Sequence, residues 1–61
     1  MFDTKIQFQD TRGAWFTVQT VRANENIVKN ALDVAEQTYR GKRVRAVDKA
    51  GNIVDLRNAL K

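Results

Sequence analysis

A chain of 61 residues with no cysteine and no histidine excludes a disulfide-stapled scaffold, a thiolate or imidazole metal site and the usual nucleophile–base pairs. Eleven Lys and Arg against seven Asp and Glu leave a net charge of +4, basic without the dense cationic run of a histone-like tail. No window reaches the roughly 18 apolar residues that a membrane span needs, and the start, MFDTKIQFQ, lacks the apolar stretch of a signal peptide, so the expectation is a single cytoplasmic domain over residues 1–61.

In chain order, residues Phe2 to Gln9 alternate. Phe2, Thr4, Ile6 and Phe8 take one face and Asp3, Lys5, Gln7 and Gln9 the other, which predicts a strand with one buried side. Asp10-Thr11-Arg12-Gly13 reads as a turn, because aspartate closes an Asx-type turn and glycine supplies a positive φ. Ala14 to Val21 is a second strand, rich in aromatic and β-branched residues. Phe16, Val18 and Thr20 are expected to face the core, which places Trp15, Thr17, Gln19 and Val21 outside; a bulge at the turn would reverse that assignment.

Asn24 to Gly41 is the only stretch with sustained helical periodicity. At about 100° per residue, Val28, Leu32, Ala35 and Tyr39 fall together, while Lys29, Asn30, Asp33, Glu36, Gln37 and Arg40 lie opposite as a solvated face. Asn24 suits the N-cap, Glu25 the positive end of the dipole, and Gly41 the left-handed residue past the C-terminus. Glu36 and Arg40 have the spacing of an i,i+4 ion pair. Arg43 to Asp48 forms a third strand, with Val44 and Ala46 on one side and Arg43, Arg45 and Val47 on the other. Asp48 to Asn52 is a second turn, Ile53 to Leu56 or Arg57 a fourth strand with Val54 and Leu56 inward, and Asn58 to Lys61 a short tail.

The element order is ββαββ, an α+β domain in which one helix packs on one face of a four-stranded, mostly antiparallel sheet. Strand order 2-1-4-3 is preferred over 1-2-3-4. In element order and length the chain resembles the immunoglobulin-binding β-grasp modules of bacterial surface proteins; the resemblance is architectural, rests on no shared motif, and implies nothing about function. The expected core is Ile6, Phe8, Phe16, Val18, Val28, Ala31, Leu32, Ala35, Tyr39, Val44, Ala46, Val54 and Leu56.

Neither a catalytic cluster nor a phosphate-cradling loop emerges, so the expectation is a small non-enzymatic binding module with no cofactor, no metal and no small-molecule substrate. Asp48, Asn52 and Asp55 lack calcium-loop spacing and read as turn formers. The candidate binding surface is Trp15 with Arg40, Lys42, Arg43 and Arg45. Four cations fall within residues 40–45, and Arg43 and Arg45 share a sheet face with Lys5, Gln7, Gln9, Trp15, Thr17, Gln19 and Arg57 in the expected register. A protein partner on the open sheet face is favoured, including a second copy seeded by Trp15, Val21, Val47 and Ile53. The alternative is a nucleic acid, whose phosphates would meet the guanidinium groups and whose bases would stack on the indole.

Overall fold

A computed structural model of the chain describes residues 3–58. Strand β1 spans Thr4–Gln9, β2 Trp15–Val21, helix α1 Glu25–Thr38, β3 Val44–Val47 and β4 Ile53–Arg57. The expectations for Phe2 and for residues 59–61 lie outside the described residues. The ββαββ order and the single helix on one face of a four-stranded sheet are as the sequence predicts.

Each boundary has a local cause. The side-chain oxygen of Asn24 accepts from the amides of Asn26 at 3.0 Å and Ile27 at 3.2 Å, so two otherwise unpaired first-turn donors are satisfied. At the other end, the amide of Tyr39 still reaches the carbonyl of Ala35, and a tight turn follows in which Lys42 donates to the carbonyl of Tyr39. Gly41 has φ of 85° in that turn, a conformation that costs other L-residues steric strain. It lies one residue further from the helix than expected, because the last helical hydrogen bond already ends at Tyr39.

The two hairpin loops share one construction. In Asp10–Ala14 and again in Asp48–Asn52, the aspartate amide donates to the carbonyl four residues on. The glycine amide donates back to the aspartate carbonyl, and the aspartate carboxylate accepts the amide that follows the glycine. Asp-x-x-Gly is thus used twice, with a left-handed glycine closing a short hairpin in each case.

The sheet order is β2-β1-β3-β4, and every neighbouring pair is antiparallel. This corrects both expected orders, and with them the β-grasp order: the two hairpins join through β1 and β3. The physical reason is side-chain content. Val44 and Ala46 of β3 are fully buried, whereas β4 turns Asp55 and Arg57 towards the helix side, opposite Ala46 and Val44. The strand with the better apolar face takes the central place.

The core lies between α1 and β1, β2 and β3. Ile6, Leu32, Val44 and Ala46 are completely buried, and Val21, Val28, Ala31 and Ala35 nearly so. Phe8, Val18 and Tyr39 pack against this cluster, with the Phe8 and Tyr39 rings stacked at 4.2 Å between centroids. Three expected core residues are not buried: Phe16, Val54 and Leu56 are 48%, 55% and 44% exposed. Two irregularities redirect the strand faces, and the second of them accounts for Val54 and Leu56. Val18 is an extra residue between Thr17 and Gln19 in the β1–β2 ladder, which leaves Trp15 and Phe16 facing as expected but turns Val21 into the core opposite Thr4 and Thr20 out beside Lys5. Val54 is similarly extra between Ile53 and Asp55, so Leu56 lands opposite Arg45 on the open face.

Leu32→Ala is expected to cost about 2–5 kcal/mol, read as a lower midpoint in denaturant melts. Val34→Ala, at a position 61% exposed, is expected to stay within about 0.5 kcal/mol of the parent.

Candidate binding surface on the open sheet face

The face of the sheet away from α1 carries the side chains that alternate with the core. From β1 come Lys5, Gln7 and Gln9, from β2 Trp15, Thr17 and Thr20, from β3 Arg45 and Val47, and from β4 Ile53 and Leu56. None of these strand residues is acidic. On it the guanidinium of Arg45 lies over the Trp15 ring, 4.0 Å from the centroid. Arg45 is in β3 and Trp15 in β2, so the contact spans β1 between them. The side chain of Gln7, in β1, bridges that gap. It accepts from Arg45 Nε at 2.8 Å and donates to the Thr17 hydroxyl at 3.0 Å. One glutamine thereby fixes the arginine on the ring and leaves both Nη groups of Arg45 without an acceptor among the described residues.

The registers give this face two unlike ends. Gln9 and Trp15 lie at one end, and Lys5, Thr20 and Val47 at the other. The first end also receives the β1–β2 loop with Arg12 and the turn from α1 into β3 with Arg40 and Lys42. Arg43 extends the central ladder, its carbonyl accepting from the Gln9 amide, and its guanidinium donates to the Asn58 side chain at 3.3 Å. The one acid in these loops, Asp10, uses a carboxylate oxygen to accept the amides of Arg12 and Ala14. Asp3 and Asp48 border the opposite end.

Of the expected candidates, Trp15, Arg43 and Arg45 therefore share the open face, and Arg40 and Lys42 sit in the adjoining turn. Arg57 does not share it. Its guanidinium faces the helix and donates to the carboxylates of both Asp33 and Glu36. Those two acids are not a plain solvated face, and Glu36 pairs with Arg57 rather than with Arg40. Donation to Asp33, then to Glu36, raises the Arg57 pKa against the opposing effect of burial. Since the shift is upward from a value already far above neutral, its contribution is fully present across the neutral range and is lost as pH rises into strong alkali. The sequence signal for this tie was the run of Glu25, Lys29, Asp33 and Glu36 on one side of the helix.

Among the described residues a groove lies on each side of α1. The one towards β4, of about 630 Å³, is lined by residues that include Thr4, Val28, Lys29, Val54 and Asp55. A smaller one towards β2 is lined by Val18, Val34, Thr38 and Tyr39 among others. Among the described residues no three of His, Cys, Asp or Glu converge as metal ligands, and no helix is long and apolar enough to cross a membrane.

Neither protein-family models, curated proteins nor solved structures give a match to this chain.

Trp15 is the sole tryptophan, so its emission reports the Arg45 contact directly. Arg45→Ala is expected to change Trp15 emission while far-ultraviolet dichroism stays as in the parent. Arg57→Met, which leaves the Glu36 carboxylate, 13% exposed, without its cation, is expected to cost about 1 kcal/mol in denaturant melts.

Proposed function

We propose that this chain is a small non-enzymatic binding module whose open sheet face takes a single-stranded nucleic acid. The reading rests on the Trp15–Arg45 stack held by Gln7, in a strand face without acidic residues and beside a sheet end rich in cations. An indole and a planar guanidinium offer bases a stacking surface that does not depend on sequence, and cations along the groove follow the phosphates. Arg43 and Arg45 would meet phosphates at the face itself, with Arg12, Arg40 and Lys42 extending the positive field beyond its edge.

The test is titration of short single-stranded RNA and DNA while Trp15 emission is followed. The expected result is quenching at low salt. With three or four phosphates neutralised, raising salt from about 50 to about 200 mM lowers affinity roughly twentyfold to fiftyfold. Arg45→Ala, and Trp15→Ala followed instead by the anisotropy of a dye-labelled strand, should each weaken binding by about tenfold or more across sequences. An unquenched Trp15 and no complex at low salt would overturn the proposal.

A second reading, a protein partner on the same face, is favoured by the exposed Ile53 and Leu56 beside Val47. It predicts a complex that is indifferent to salt and is lost in Leu56→Ala.

A further inference from the structure

The charged residues of α1 are not spread around it. Glu25, Lys29, Asp33 and Glu36 fall within an arc of about 80° at 100° per residue, and this arc faces β4, where Asp33 and Glu36 hold Arg57. The other flank, towards β2, holds Ile27, Asn30, Val34, Gln37 and Thr38, all uncharged. Val34 is 61% and Ile27 40% exposed, a full two turns apart on one stripe.

The strand beneath this flank matches it. β2 reads WFTVQTV, seven residues without one charge, and it is an outer strand whose sole neighbour is β1. Phe16, on its helix side, is 48% exposed. Outer strands are ordinarily guarded by charges, proline or covering elements. The opposite outer strand, β4, has such guards: Arg57 is tied to the helix, and the Asp55 carboxylate accepts the Leu56 amide at 2.9 Å. β2 has only the bulge at Val18. In a chain with 30% charged residues, a strand and a helix flank that are both uncharged and lie side by side mark a surface meant to be covered.

We propose that this flank, β2 with the Ile27–Val34 side of α1, is the contact surface between two copies of the chain. A two-fold contact sets a surface against itself, so every charge on it meets a like charge near the axis. This is the flank that carries none, and its apolar residues can interdigitate with their own copies. Pairing of the outer edges of β2 and its copy would add main-chain hydrogen bonds to that contact. The inference is independent of what the open face binds.

The experiment is sedimentation of the full chain up to about 1 mM, the weak end of the affinity scale, together with two matched variants. Wild type is expected to approach twice its 7.0 kDa monomer mass. Val34→Glu is expected to remain monomeric where wild type is dimeric, a loss of affinity of at least about tenfold from one buried like-charge pair. Val54→Glu, equally exposed on the β4 flank, is expected to associate as wild type does. Both substitutions are at solvent-facing positions, and thermal melts confirm that each variant is folded. Because the chain has no cysteine, Val34→Cys supplies a second readout: a covalent dimer under mild oxidation, where Val54→Cys gives none. A monomeric wild type overturns the proposal. So does dissociation by Val54→Glu as strong as by Val34→Glu, or a Val34→Glu dimer as tight as the parent.

Discussion

One helix of fourteen residues has to cover four strands, and the rest of the structure follows from that shortfall. Three strand spacings of about 4.8 Å make the sheet about 15 Å wide between its outer strands, whereas a helix with its side chains is about 10 Å across. The helix sits on β1, β3 and β2 and leaves β4 to other means. On the β4 side the gap is bridged by charge, with Arg57 reaching up to Asp33 and Glu36. On the β2 side it is bridged by aromatic packing, with Phe8 between Phe16 and Tyr39. The two flanks therefore have opposite chemistry because they solve the same geometrical deficit differently.

The same shortfall explains why the open face is polar at its centre. With a single covering element, the far side of the sheet must stay in water, and its strand positions carry Lys5, Gln7, Gln9, Thr17 and Arg45. Polar side chains on a pleated surface lie within reach of their neighbours. Arg45 uses this: it spans a strand to lie on Trp15 and is held there by Gln7. A side chain of that length would otherwise sample many rotamers, and its being fixed in the free chain would lower the ordering entropy of the proposed binding.

How much of this was legible in the sequence differs from element to element. The helix was, because its capping residue, periodicity and charge stripe agree with one another. So were the faces of β1 and β3, where strict alternation left no choice, and the shared face of Trp15 and Arg45. The strand order was not. It depends on whether β3 or β4 lies beside β1, a competition between residues nearly forty positions from their partner. The two bulges were equally hidden, since an extra residue at Val18 or Val54 is decided by the opposing strand and by the pull of Arg57 towards the helix. The helix-side burial of Val21 and the exposure of Leu56 both follow from those two residues. The repeated Asp-x-x-Gly was in plain view as two isolated turns, and its recurrence would have specified both loop geometries.

Those twin loops have a consequence for how the molecule assembles. Each closes a hairpin from residues near in sequence, so each half of the sheet can be sampled locally and quickly. Neither half is self-sufficient, since an isolated two-stranded hairpin is marginal in water. Commitment comes at the seam, where Lys5–Phe8 meets Val44–Val47. That step must close a long loop before it is rewarded by the burial of Ile6, Val44 and Ala46. The helix is the greater part of the link between the two hairpins, so its formation shortens the distance to be searched. In this chain the element that covers the core is also the spacer that brings the core together.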